Sequence, residues 1–236
     1  MCQFSNNVCK SAIRRSLSKR RAHLDRGDRV THTFDNEYWD QIWQGDRAQA
    51  MATSQPNPHL LTEVADLTPG TALDAGCGAG AEAIWLASCG WQVTAADIAT
   101  DALARAAERA DANGVQVEWV EADLSVWEPE APYDLVTTHY AHPSIPQLEF
   151  YDRIATWVAP GGTLLIVGHL HHGGHGHGHG HGHGHEPPAA ASATAATITA
   201  RLDPAAWEVV TAQESQRTVP GSDKVLHDVV VRATRR

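Results

Sequence analysis

The chain has 236 residues, 42% hydrophobic and 19% charged, with a formal net charge of −10 at pH 7. That length buries one good core and so suits one domain, while the acidic balance argues against a general nucleic-acid binder, whose phosphate contacts need clustered Lys and Arg. No stretch approaches the ~20 apolar residues that span a membrane, and the cysteines at 2, 9, 77 and 89 show no paired spacing, which fits a reducing cytoplasm better than a disulfide framework.

The charge is uneven. Residues 1–30 hold eight Lys or Arg against two Asp, a net +6, so the remaining 206 residues carry −16. A transit peptide shows a similar bias, but no clear cleavage signature is present. Residues 1–33 therefore read as a basic, disordered leader, or an extension upstream of the true start, outside the fold.

Residues 34–236 read as the folded domain. Asn36 to Gln44 holds Tyr38, Trp39 and Trp43, with the tryptophans four apart on one helical face. That face either packs on the body or closes over a ligand, where aromatic rings attract a cation. His59 to Leu67 forms a second helix, stopped by Thr68-Pro69-Gly70.

Thr71 to Leu73 is an apolar strand that reaches Asp74, turns through Gly76, Gly78 and Gly80, and enters a helical stretch from Ala81 to Ser88. Glycines let the backbone approach a ligand without a Cβ in the way, and the helix start offers free N–H groups to negative charge. Such a turn holds a nucleotide-like cofactor. Gly76-x-Gly78-x-x-Ala81, with Asp97 about 20 residues on, fits the relaxed dinucleotide fingerprint, which keeps an NAD(P)-dependent oxidoreductase open as an alternative. Asp74 weighs against it, because a carboxylate two residues before the first glycine repels a pyrophosphate and welcomes an ammonium and a sulfonium. Cys77 within the turn reads as a small residue whose backbone matters.

Strands and helices then alternate. Gly90 caps the helix and Trp91 to Ala96 is the second strand. Thr100 to Ala112 is Ala-rich and helical, ending at Asn113-Gly114 with a left-handed stop. Val115 to Val120 alternates as the third strand, and Pro146 to Val158 is a helix with Leu148, Tyr151, Ile154 and Val158 at helical spacing. Ala193 to Leu202 reads as helical, and Trp207 to Ala212 with His227 to Ala233 as a closing antiparallel pair. The expected fold is α/β: a Rossmann-like, doubly wound sheet, mostly parallel, with an antiparallel C-terminal strand pair and ligands at the strands' C-terminal ends.

The ordered set of acids and glycines resembles the class I S-adenosylmethionine-dependent methyltransferases, over roughly residues 35–236. The resemblance implies that Asp74, Gly76, Gly78 and Gly80 hold the methionine part of S-adenosylmethionine. It implies that Asp97, ending Val93-Thr94-Ala95-Ala96-Asp97-Ile98, holds the ribose hydroxyls and that Asp123, in Glu121-Ala122-Asp123-Leu124, meets the adenine amino group. Tyr133-Asp134-Leu135-Val136 matches the family's fourth strand, and Pro160-Gly161-Gly162 precedes a fifth, Thr163 to Val167. Phe34-Asp35-Asn36-Glu37-Tyr38-Trp39 is similar to the aromatic helix of the thiopurine and tellurite-resistance branches. The cofactor contacts so implied come from Trp39, Asp74, Gly76, Cys77, Gly78, Gly80, Asp97, Ile98, Asp123, Leu124 and His139.

His169 to His185 holds nine of the fifteen histidines, and from His175 they alternate strictly with glycine. Neutral imidazoles bind Zn²⁺, Ni²⁺ or Cu²⁺, which makes His171, His172, His175, His177, His179, His181, His183 and His185 candidate ligands. The fixed Cys/His spacing of a folded zinc site is absent, so residues 169–188 read as a mobile inserted loop at the cofactor edge. A metal-binding or metal-sensing protein on a methyltransferase scaffold is the second alternative.

Chemistry belongs after the fourth strand, at Thr138-His139-Tyr140-Ala141-His142-Pro143. Methyl transfer to a small molecule is an in-line displacement from a sulfonium that is its own leaving group, so the enzyme mainly aligns the nucleophile and excludes water. A base helps where the acceptor must lose a proton, and His139, Tyr140 and His142 are the candidates; equally, His139 lines the cofactor and His142 caps the next helix. The Asn/Asp-Pro-Pro-Tyr signature of amide and nucleobase methylation is absent, which again disfavours nucleic acid. The acceptor atom and the oligomeric state are not legible.

Overall fold

The computed structural model describes residues 34–45, 48–170, 192–218 and 225–236. The strands are β1 (Thr71–Ala75), β2 (Gln92–Asp97), β3 (Glu118–Glu121), β4 (Tyr133–His139), β5 (Val158–His169), β6 (Trp207–Thr218) and β7 (Val225–Arg235). The helices are α1 (Asn36–Gln44), α2 (Ala48–Ala52), α3 (Pro58–Glu63), α4 (Ala81–Ser88), α5 (Thr100–Asn113), α6 (Gln147–Thr156) and α7 (Ala195–Thr199). One sheet runs in the order β3-β2-β1-β4-β5-β7-β6. Its first five strands are parallel, and β7 pairs antiparallel with both β5 and β6. The doubly wound sheet with an antiparallel C-terminal pair is therefore as expected.

Successive side chains of a strand point to opposite faces, and both faces here are apolar. Leu73, Val136, Leu164, Ile166, Val229 and Val231 pack under Phe150, Tyr151 and Ile154 of α6 and Ile198 of α7. Their neighbours Ala72, Leu135, Leu165, Val167 and Val230 pack on the other face, with Leu60 of α3, Ala83 and Leu86 of α4 and Leu103 of α5. Strands covered on both sides read as continuous apolar runs, as Leu164-Leu165-Ile166-Val167 does. The sheet's winding reverses between β1 and β4, and the loops after those strands part to open a crevice.

Several boundaries differ from the expected ones, each for a backbone reason. The third strand begins at Glu118, because the Val115 N–H closes the end of α5 on the Ala110 carbonyl at 3.2 Å. Val158 belongs to β5 rather than α6, since it pairs with Tyr133 of β4, with a register shift before Leu135. The second helix is shorter, Pro58–Glu63, and the expected helix at 193–202 contracts to Ala195–Thr199 behind a capping box of Thr194 and Thr197. The final strands are longer than their apolar centres, because β6 pairs with β7 through polar residues out to Thr218. The short α2 carries no periodic signal. Among the described residues no helix is long and apolar enough to cross a membrane.

Candidate active site

The glycine turn leaves β1 and is folded onto the end of β2. The N–H groups of Gly76 and Cys77 both donate to the Ala96 carbonyl, at 2.8 and 3.1 Å. Gly76 has φ +82°, and a Cβ there would stand 2.3 Å from that of Ala141, so the turn and the loop after β4 approach as only a bare backbone permits. At Gly78 a Cβ would lie 3.2 Å from the buried Trp43 ring of α1. Gly80 faces the other way, against Trp119 and Ala106. Burial, with Asp97 and Asp74 nearby, pushes the Cys77 thiol well up, so it stays protonated and is no nucleophile.

A cavity of about 820 Å³ opens over this turn. Of the expected site residues, Trp39, Gly76, Cys77, Gly78, Asp97, Ile98, Asp123, Leu124, His139, Tyr140 and His142 line it, whereas Asp74 and Gly80 do not. Asp97, ending β2, accepts the Gly78 N–H at 2.7 Å on one oxygen and the Ala99 N–H at 2.9 Å on the other. Burial raises its pKa against the pull of those backbone donors. Asp123 lies two residues beyond β3 and accepts the Ser125 N–H at 2.9 Å.

Asp74 sits behind the turn, 1% exposed, and its Oδ2 has no hydrogen-bond partner among the described residues. Burial, then Glu82 and Asp97, push its pKa well above the carboxylate range. Glu82, in the first turn of α4, is the acid that reaches the cavity wall instead, accepting the Asn57 N–H at 3.0 Å. Burial raises its pKa too. Three close carboxylates, all pushed toward protonation, favour a positively charged ligand.

The three residues after β4 differ sharply. Both ring nitrogens of His139 are buried without a hydrogen-bond partner among the described residues, and burial, helped by His59, lowers its pKa to about 3. Tyr140, at φ +56°, donates its hydroxyl to Asp228 at 2.8 Å and accepts from Asn57 at 3.1 Å and Arg217 at 3.0 Å. Burial chiefly drives its pKa up to about 12. His142 packs between Phe34 and His169, each ring 5.4 Å away, and places Nδ1 3.1 Å from Gln147 Oε1.

Residues 72–162 match a family model described as a methyltransferase domain. The chain is 33% identical over 121 residues to a trans-aconitate 2-methyltransferase of Streptomyces avermitilis, covering 47% of this chain and 44% of that protein. It is 31% identical over 116 residues to ribosomal RNA small subunit methyltransferase C of Alcanivorax borkumensis, covering 43% of this chain and 33% of that one. The N-methyltransferase NodS of Bradyrhizobium japonicum, solved with S-adenosylhomocysteine, has the same fold, with a TM-score of 0.62 at 17% identity over 85% of this chain and 97% of its own. Over residues 72–162 the chain is thus similar to methyltransferase domains, and it shares the fold of solved methyltransferases. It spans less than half the length of the curated relatives it matches.

The lining of this site fits S-adenosylmethionine on its own evidence. The bare backbone at Gly76 and Gly78, the orphaned Asp74 oxygen and the acid-lined cavity suit a cationic adenosyl ligand. The sequence reading missed Glu82, Asn57 and Arg217 in the wall. Glu82 carries a usable signal, an acid at the start of the helix after the glycine turn; Arg217 carries none, since it reaches the cavity from β6, far along the chain. The candidate metal ligands His171 to His185 lie outside the described residues. Among the described residues no group of three or more His, Cys, Asp or Glu could hold a metal ion.

Proposed function

We propose that this domain, residues 34–236, transfers the methyl group of S-adenosylmethionine to a small-molecule acceptor. The observation that carries the reading is Asp97, which ends β2 inside the cavity with both oxygens oriented by backbone N–H groups of the glycine turn and of the start of α5. In this reading Asp97 holds the ribose hydroxyls and Asp123 meets the adenine amino group. Asp74 and Glu82 balance the ammonium and sulfonium, Asp74 through the turn or a water because it stands behind the wall. Trp39, Ile98, Leu124 and the backbone at Gly76, Cys77 and Gly78 complete the cofactor's surroundings, with Gly80 shaping the turn and His139 closing the far side. The bound cofactor supplies an electrophilic methyl carbon with a neutral thioether as leaving group; the chain's own task is alignment and exclusion of water.

A small-molecule acceptor is supported by the likeness to trans-aconitate methyltransferase and by the −16 carried from residue 31 onward, which opposes a nucleic-acid backbone. A cytoplasmic setting accords with the cysteine usage. The His/Gly tract is read as an accessory that retains Zn²⁺, Ni²⁺ or Cu²⁺, on its imidazole content alone.

Isothermal titration with S-adenosylhomocysteine, against a fluorescence titration with NADH, tests the assignment. Asp97→Ala should leave a folded protein that loses two charge-assisted hydrogen bonds, ~1.5–3 kcal/mol each. Normal binding by that variant, or NADH binding in preference, would overturn it.

A further inference from the structure

His142, Gln147 and the Ala141 carbonyl form a relay whose polarity is set by the backbone. The Gln147 amide nitrogen lies 3.0 Å from the Ala141 carbonyl oxygen, which can only accept, so that nitrogen must donate there. The Gln147 oxygen consequently faces His142 Nδ1 at 3.1 Å. An amide oxygen only accepts, so Nδ1 carries the hydrogen, and the neutral ring keeps its lone pair on Nε2. No hydrogen bond engages Nε2 among the described residues.

The surroundings hold this arrangement. Gln147 is 5% exposed at the first position of α6, and His142 is 9% exposed in the cavity wall. Trp39 of α1 donates its indole N–H to the His142 carbonyl at 3.3 Å, and the Phe34 and His169 rings flank the imidazole. The two neighbouring candidates serve less well: the Tyr140 hydroxyl is spent on three hydrogen bonds, and the His139 ring, though its lone pair is unengaged among the described residues, is buried with no hydrogen-bond partner to stabilise its cation.

We propose that His142, fixed as its Nδ1–H tautomer by Gln147, is the proton acceptor of the reaction, and that the methyl acceptor is therefore a protic O–H or N–H nucleophile rather than a carboxylate or thiolate. This rests on the methyltransferase reading above. The acceptor's O–H or N–H bond breaks, its proton passes to His142 Nε2, the pair left behind forms the bond to the methyl carbon, and the carbon–sulfur pair returns to sulfur. The resulting imidazolium keeps its Nδ1–H on Gln147 and releases the Nε2 proton to solvent. A carboxylate, already ionised at neutral pH, gains nothing from such a base. Gln147 acts only through His142 and is a positioning residue.

Long-range ¹⁵N–¹H spectra of the full-length, cofactor-free protein labelled at histidine test the tautomer directly, with His142→Gln identifying the signals. Protonated Nδ1 with bare Nε2 is expected; protonated Nε2 overturns the proposal. Gln147→Leu should lose that tautomer and Gln147→Glu should keep it. S-adenosylhomocysteine release is then followed with catechol and an aromatic amine against trans-aconitate. The protic probes should be turned over, with kcat falling about 10²-fold or more in His142→Gln, while the KM for S-adenosylmethionine stays within twofold. Gln147→Glu should recover kcat where Gln147→Leu does not. Turnover confined to trans-aconitate, or an undiminished His142→Gln, refutes the base. Failure of the wild type to bind S-adenosylhomocysteine in calorimetry refutes the cofactor reading instead, and leaves the tautomer result standing apart.

Discussion

Arg217 and Asp228 meet across the β6–β7 pair, Nε to Oδ2 at 2.6 Å, with the Asp228 side chain fully buried and Arg217 lining the cavity. Two strands that look like a structural appendix thus build one wall of the site, through Tyr140.

Removing the cation should be costly. Arg217→Met leaves a buried carboxylate bonded, among the described residues, only to Tyr140 and His59, with an expected loss of about 3 kcal/mol, the low end for breaking a buried pair. Burial pushes the Asp228 pKa up, but hydrogen bonds from His59, Tyr140 and Arg217 outweigh it and hold it below 3.8. The ion-pair stability is therefore present above the ordinary carboxylate range and lost as pH falls through the lowered value. Thermal melts should show the wild type losing Tm on acidification below about pH 4, and Arg217→Met losing less; equal acid slopes would contradict the pairing.

Asp74 predicts the reverse. Burial raises its pKa, so its contribution is fully present below 3.8 and is lost as pH rises through the raised value. Asp74→Asn should melt higher than the wild type at pH 8 without ligand, and the gap should close at low pH. The same variant should bind S-adenosylmethionine more weakly, because the site's negative charge serves the ligand and not the fold. A variant no more stable at pH 8 would show that Asp74 is not held at a cost.

The glycine turn can be probed by contrast. Gly76→Ala adds a Cβ 2.3 Å from another, at φ +82°, whereas Gly114→Ala at φ +67° meets nothing within 4 Å. Gly114→Ala should cost only the left-handed penalty of roughly 1–2 kcal/mol and leave S-adenosylhomocysteine affinity unchanged. Gly76→Ala should cost more and abolish binding. Denaturant titration and calorimetry on the two variants decide it; similar losses at both positions would mean that the close approach to Ala141 is unimportant.

Deleting His171 to His185 should remove nickel-resin retention and leave S-adenosylhomocysteine affinity within twofold, since no described cavity residue is removed. A large fall in cofactor affinity would contradict an accessory role.

The fold was legible because its signals are local. Leu164 to Val167 reads as a strand wherever it lies, Asn113-Gly114 stops a helix by its own dihedrals, and the spacing of Asp74, Gly76 and Gly78 survives any packing. Boundaries were less legible, because Val158 is claimed by pairing with Tyr133 of β4 and Val115 by the last turn of α5, through the Ala110 carbonyl. Most expected cofactor residues reach the cavity. Asp74 shows the limit: its position along β1 was readable, but which side of the turn its carboxylate takes depends on α4 packing against it.

By itself, the order of residues determined the alternating sheet, the glycine turn and the acids at the strand ends, because dihedral preference, hydrophobic period and charge act over a few neighbours. Only the folded chain decided which acid faces the cavity, that Arg217 of a distant strand joins it, and which nitrogen of His142 holds a proton. Those facts arise from contacts between residues far apart in the chain, and a hydrogen bond's direction exists only once both partners are in place.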